Sequence, residues 1–282
     1  MAEEKYRDSV FRHYFIGDKR RLLSLVNAVL GTDCNDPNEI EINTLEASLL
    51  SESRNDVSCF FRNQLVVLIE HQSTLNENMP LRFLFYEVEL LRKLIDDPEC
   101  LYRKKQLKFP APRFFVMYNG KAAAPERRMM KLSDAFGGDD TLELKAEFLN
   151  INAGNNRELL ARSIDLSWYC AFVERVKFNQ SKKMMLAKAI KEAMEYCIAN
   201  GIMATYLREH EWEVMKMYQY EYDAELDRRA NFEDGLEKGR NSERMSMIKN
   251  FYKAGTPINF IMSATGWTEE QILAVVNAPD EN

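Results

Sequence analysis

No stretch of this chain is apolar enough to span a membrane; the longest hydrophobic runs fall far short of the roughly 18 residues a span requires. Cysteine supplies no framework either. The five cysteines (Cys34, Cys59, Cys100, Cys170, Cys197) are scattered, and none sits in a Cys-x-x-Cys pair, which argues against a zinc site or a disulfide scaffold. Reduced, partly buried thiols are expected. Cationic excess is missing as well. The net charge is −6, so any contact with phosphates must come from a local patch. The opening Met1-Ala2-Glu3-Glu4-Lys5 is acidic and polar, unlike a secretory signal, and a cytoplasmic location is expected. No long internal repeat is visible.

What remains is ordinary globular material: 46% apolar and 29% charged over 282 residues, enough for one large domain or two small ones. Residues 6–30 read as helical, with Val10, Phe11, Tyr14 and Phe15 on one apolar face and Leu22, Leu23, Val26, Val29 and Leu30 on another. Gly31 stops the helix. From Glu39 to Gln72 the period becomes that of strands, placed near 45–51, 55–61 and 65–72. Met79-Pro80 opens a helix to about Ile95, with proline where its missing N–H costs little. Residues 96–112 read as a basic loop, 113–118 as a strand closed by Asn119-Gly120, and 142–151 as a further strand. Residues 157–254 carry helical periodicity, interrupted near Asn200-Gly201. The expected class is therefore α/β, a mixed central sheet flanked by helices, followed by an all-helical C-terminal part.

The run Leu65-Val66-Val67-Leu68-Ile69-Glu70-His71-Gln72 ends on a charge that an apolar strand does not normally carry. A buried, unpaired carboxylate costs several kcal/mol and needs a partner. Arg62-Asn63-Gln64 is the polar break before this strand. A hairpin centred on Asn63 pairs residues whose numbers sum to 126, setting Asp56 opposite Glu70, with Cβ atoms about 4.5–5.5 Å apart. Gln72 shares their face and His71 points the other way. A slip of one residue separates the two acids. Two carboxylates that close repel unless one binds a proton or a divalent cation bridges them. Mg²⁺ suits such a site, because it accepts one or two carboxylates and keeps waters that can attack a phosphodiester.

These residues resemble the PD-(D/E)xK nuclease superfamily, and within it the recombination-promoting nuclease, or transposase-like, branch. Asp56 matches the first acid and Glu70-His71-Gln72 the second element in its Glu-x-Gln form. The longer runs Lys5-Tyr6-Arg7-Asp8-Ser9-Val10-Phe11, Glu70-His71-Gln72-Ser73-Thr74 with Asn78-Met79-Pro80-Leu81-Arg82, and Pro112-Arg113-Phe114 with Tyr118-Asn119-Gly120 resemble that branch too. The resemblance covers most of residues 5–220. It implies a restriction-endonuclease-like core and a DNA endonuclease that uses Mg²⁺, with Mn²⁺ able to substitute. Asp56, Glu70 and the backbone carbonyl of His71 would hold the metal. Gln72 would stand where the family usually has lysine, orienting a water or a phosphate oxygen with dipoles instead of a full charge. Weak or absent cleavage, with DNA or protein binding retained, is the alternative. Asp8 reads as an accessory acid of the family or as a helix N-terminal Asp, the latter favoured. For His71 a packed, hydrogen-bonded role outweighs that of a base. Arg82 fits a phosphate contact or an ion pair equally, and Ser73 a bond near the site or a strand-end turn. For His13 and His210 a structural or exposed role is expected.

The window Leu101–Lys131 holds nine Lys or Arg against one acid, Glu126, a local +8 in an acidic protein. Arg103, Lys104, Lys105, Lys108, Arg127 and Arg128 are its candidate DNA-binding residues; a solvated loop accounts for the run as well. Residues 256–282 have a helix-turn-helix rhythm, with a capping box at Thr268-Glu269-Glu270-Gln271. They contain no Lys or Arg and four acids, so phosphate would repel them, and a protein-interaction module is expected instead. The resulting division is a nuclease-like core over 1–155, a helical extension over 156–222, a charged helix or linker over 223–255 and a helical hairpin over 256–282. A homodimer is compatible with cutting both strands of a duplex.

Overall fold

A computed structural model describes residues 9–43, 57–62, 65–95 and 97–277. The expected strand at 45–51, Asp8 and Asp56 lie outside the described residues.

The chain forms two compact units, Met1–Tyr220 and Glu221–Asn282. In the first, α1 (Val10–Ile16) and α2 (Lys19–Leu30) are capped by Ser9, which accepts from the Arg12 N–H, and by Asp18, which accepts from the Arg20 N–H. Strands β1 (Ile40–Ile42), β2 (Val57–Phe61) and β3 (Leu65–Gln72) follow, then α3 (Met79–Lys93) and strands β4 (Ala111–Tyr118), β5 (Arg127–Lys131) and β6 (Lys145–Asn150). These make one six-stranded mixed sheet in the order β1-β2-β3-β4-β6-β5, with β3, β4 and β6 parallel. Helices α4 (Arg157–Arg162), α5 (Ile164–Ser181), α6 (Leu186–Ala199) and α7 (Ala204–Glu209) lead to the long α8 (Glu211–Lys253). The expected α/β class with a helical C-terminal part is what is observed.

Burial explains the apolar run in β3. Val67 and Ile69 face a core shared with α1, α2 and α5 to α7, while Leu68 faces a smaller core under α3. A strand buried on both sides has no reason to alternate with polar residues. Two strands differ from the sequence reading: β1 (Ile40–Ile42) pairs with β2 ahead of the first strand placed from sequence, and β5 is not among the strands read there. Arg127-Arg128-Met129-Met130-Lys131 reads as basic loop, but it pairs antiparallel with β6 as an edge strand. Its Arg127, Met129 and Lys131 are exposed and Met130 is buried, the alternation of a strand with one solvated face. Charged residues on an edge also discourage pairing with another chain.

The carboxyl ends of β3, β4 and β6 are locked together by polar groups. The Asn119 N–H donates to the Gln72 carbonyl at 3.0 Å and the Ile151 N–H to the Tyr118 carbonyl at 2.8 Å. The Asn152 amide reaches the Gly120 carbonyl at 3.0 Å. A Cβ on Gly120 would overlap the Ser73 carbonyl oxygen and lie 2.6 Å from the Tyr118 ring. Gly120→Ala is therefore expected to destabilise the first unit by about 2–4 kcal/mol, because backbone has to move. A urea titration followed by circular dichroism measures it, and an unchanged midpoint would show that the two loops are not held this closely.

In the second unit, Ile248, Ile261 and Ile272 are buried together, with Trp267, Met262 and Val275 against them. Helices α9 (Ile258–Thr265) and α10 (Glu269–Asn277) meet across Gly266, which is left-handed at φ 72°. The capping box is present in both directions. The Gln271 N–H donates to Thr268 Oγ1 at 3.4 Å, and the Thr268 N–H to Gln271 Oε1 at 3.0 Å. No described helix is long and apolar enough to cross a membrane.

Candidate active site

The geometry is set by β2 and β3. Their observed pairs, from Val57↔Ile69 to Phe61↔Leu65, all sum to 126, as the polar break predicts. The next pair outward would be Asp56 and Glu70, of which only Glu70 is described. By parity Glu70 lies on the face of Leu68, toward α3, and only 2% of it is exposed.

Glu70 does not stand alone there. Arg82, one turn into α3, donates from Nη2 to Glu70 Oε2 at 3.0 Å. The same Nη2 lies 2.9 Å from the Tyr86 hydroxyl, and Arg82 Nη1 lies 3.4 Å from Met79 Sδ. The Gln72 amide donates to Glu70 Oε2 at 3.4 Å, a longer and weaker bond. Of the two roles open to Arg82, the structure shows the ion pair, and its guanidinium supplies positive charge beside the carboxylate where Gln72 supplies only a dipole. Tyr86 was not singled out by the sequence. Its signal is spacing, because a residue four beyond Arg82 on a helix shares its face.

His71 faces the opposite core. Its ring stacks on Phe11 at 4.9 Å with 11° between planes, and its Nε2 lies 3.2 Å from the Tyr169 hydroxyl. Burial of the ring, helped by the Lys177 charge, lowers its pKa from 6.5 to about 3. Folded His71 stays neutral while the unfolded chain takes a proton below about 6.5. Its contribution to stability is therefore complete above pH 6.5 and is lost as pH falls toward 3, by at most about 1.4 kcal/mol per pH unit. His71→Gln should flatten this segment of a stability-versus-pH curve measured in metal-free buffer; an unchanged slope would assign the acid sensitivity to other groups.

Lys177, also unforeseen, comes from α5 to the end of the sheet. Its Nζ donates to the Asn119 carbonyl, to Asn152 Oδ1 at 2.8 Å and to Glu174 Oε1 at 3.3 Å. Only the long-range approach of α5 to β4 reveals it. Ser73 follows β3, and its carbonyl is the oxygen that Gly120 approaches.

The candidate DNA-binding residues separate into two places. The loop with Arg103, Lys104, Lys105 and Lys108 leads into the amino end of β4, where Ala111 pairs with Leu65. Glu70 pairs with Val116, five residues further, roughly 17 Å along the strands. Arg103 is also bound to Asp97. Arg128 lies closer. Glu70, Val116, Phe148 and Arg128 form one row across the sheet, and the Arg128 guanidinium sits over the Phe148 ring at 5.1 Å. Phe148 belongs to the core under α3, so Arg128 shares the face of Glu70. It pairs with Glu77 at 2.6 Å, and Arg127 pairs with Glu147 at 2.7 Å.

As a metal site, the described residues supply one buried carboxylate with amide and guanidinium donors around it. Among them, no group of three His, Cys, Asp or Glu stands close enough to hold a cation. A fit to Mg²⁺ therefore requires Asp56. Neither a family model, nor a curated protein, nor a solved structure matches this chain.

Proposed function

We propose that this chain is a Mg²⁺-dependent DNA endonuclease with a restriction-endonuclease-like core, acting in recombination or on mobile elements. One observation carries the reading. A buried carboxylate, Glu70, lies near the end of β3 in a hairpin whose described register, if continued by one pair, would set Asp56, outside the described residues, opposite it. Sheet packing alone gives no reason for a buried carboxylate there; a bound cation would.

In this reading Asp56, Glu70 and the His71 carbonyl hold the metal, with Mn²⁺ able to replace Mg²⁺. The metal would supply an activated water and stabilise charge on the phosphate. Gln72 orients the attacking water, Arg82 neutralises a phosphate oxygen beside Glu70, and Arg128 anchors the backbone across the same face. The basic loop at 103–108 contacts DNA away from the cut.

The testing experiment is incubation of supercoiled plasmid with the full chain in Mg²⁺, in Mn²⁺ and in EDTA. Nicking in either metal that stops in EDTA supports the proposal, and no nicking by a folded protein sinks it. A second reading, a nuclease fold that binds but cleaves weakly or not at all, is favoured by the Arg82–Glu70 ion pair, since the guanidinium occupies an oxygen the metal needs. Plasmid retention without nicking distinguishes it.

A further inference from the structure

The hairpin of α5 and α6 carries a charge run that the proposed site does not use. Between Glu174 and Glu192 stand six cations and no acid: Arg175, Lys177, Lys182, Lys183, Lys188 and Lys191. That is a local +6 in a chain of net −6. Lys177 is engaged with the end of the sheet and with Glu174, and Lys188 pairs with Glu192 at 3.7 Å. Arg175, Lys182, Lys183 and Lys191 make no salt bridge among the described residues. The three lysines are exposed. Cations gathered on one hairpin repel each other, and a polyanion relieves that repulsion.

Two aromatic rings stand among these charges. The Arg175 guanidinium lies 4.0 Å from the centre of the Tyr196 ring and 5.3 Å from that of Phe178, and Lys182 Nζ lies 4.2 Å from Phe178. Phe178 and Tyr196 are 46% and 43% exposed. A solvated helix face has no use for half-exposed rings between its cations. A nucleic-acid surface does, since rings and guanidinium planes stack on bases while the charges meet phosphates. Lys183, in the turn, has a left-handed backbone at φ 62°. Glycine adopts that conformation freely, so the lysine's charge comes with local strain.

Position favours DNA among polyanions. Tyr169 of α5 meets His71 on β3, and Lys177, two turns on, meets Asn119 and Asn152 beyond β4 and β6. The helix therefore crosses the carboxyl end of the sheet from β3 toward β6, the end where Glu70 and Gln72 stand. The Asn119 N–H is itself bonded to the Gln72 carbonyl. Two strand spacings, the last turn of α5 and the thickness of the layers put the hairpin roughly 15–20 Å from Glu70, or about five base pairs of duplex. We propose that the α5–α6 hairpin binds the phosphate backbone of DNA flanking the Glu70 site, through Arg175, Lys182, Lys183 and Lys191. The choice of DNA rests on the nuclease reading; the phosphate-binding surface does not.

Fluorescence anisotropy of a labelled duplex with the full chain, in EDTA across a salt series, is the test. Lys182→Ala with Lys183→Ala and Lys191→Ala should weaken binding at least about 10-fold near about 0.1 M salt. The slope of log K against log salt should fall by about 2–3, at about 0.9 per phosphate contact. Circular dichroism should be unchanged, because all three side chains are exposed. Should the variant misfold, acetylation of the wild type decides: duplex shields these lysines if they bind it, and equal labelling with and without duplex overturns the proposal. Unchanged affinity and slope in the folded variant overturn it too. So does polyglutamate that competes as well as duplex at equal charge, which would assign the patch to an acidic protein. EDTA removes cleavage from the measurement, so the two readings fail separately. Binding lost in the variant, without nicking by the wild type, keeps this surface and sinks the nuclease; nicking with affinity unchanged in the variant does the reverse.

Discussion

Glu70→Ala should lower metal-dependent nicking by about 10³-fold or more while the protein remains folded. Lewis-acid and water-activating effects of a divalent cation contribute several kcal/mol, and each 1.4 kcal/mol is a factor of ten. Losing the buried ligand loses most of that. Folding should survive, because Arg82 keeps 29% of its side-chain surface exposed and can turn to water once its partner is gone. Glu70→Gln is the sharper control. It keeps the volume and the acceptor oxygen for Arg82 and Gln72 but removes the charge a cation requires. Cleavage in these variants at the wild-type rate would mean that the chemistry lies elsewhere or belongs to a contaminant.

Arg82→Ala should have the opposite profile, a large cost in stability. It strips the carboxylate, whose side chain is 3% exposed, of its guanidinium partner, and Tyr86 loses a donor as well. Removing one member of a buried pair leaves a charge without its counter-charge; with Arg82 partly solvated, about 2–4 kcal/mol is expected. The diagnostic is rescue. Arg82→Ala combined with Glu70→Gln should recover more than half of the loss, because the neutral amide tolerates burial better. A double-mutant cycle from chemical denaturation measures it. Costs that simply add would show that the two side chains act independently despite their 3.0 Å contact.

The parts of this architecture written in local chemistry could be read from the sequence. The bounds of β3, the opening of α3 at Met79-Pro80 and the Thr268–Gln271 box each follow from a few adjacent residues. So does the β2–β3 register, which one polar break determines. What could not be read depends on contacts made across the fold. β5 is hidden because an edge strand needs only one apolar face, and Arg127-Arg128 and Lys131 outweigh Met130 in any local pattern. Lys177 reaches Asn119 across 58 residues of chain. The distance between the basic loop and Glu70 depends on the parallel crossover through α3, which reverses the chain before β4 begins. The fourfold choice over Arg82, Ser73, Asp8 and His71 also divides this way. The structure pairs Arg82 with Glu70 and packs His71, while Asp8 lies outside the described residues.

The Arg82–Glu70 contact closes over twelve residues, within one strand and the helix that follows it, whereas His71, the very next residue, finds Tyr169 across ninety-eight. Loop-closure entropy rises with separation, so short-range contacts are the cheaper ones to make first. Neighbouring residues on one strand are thus expected to join at different stages of assembly: the carboxylate should meet the Arg82 guanidinium as the strand–helix unit forms, and the imidazole should be enclosed only when α5 arrives. In pulse-labelling during refolding, protection in α3 should precede protection in α5, making Glu70 and His71 clocks for two steps of one event.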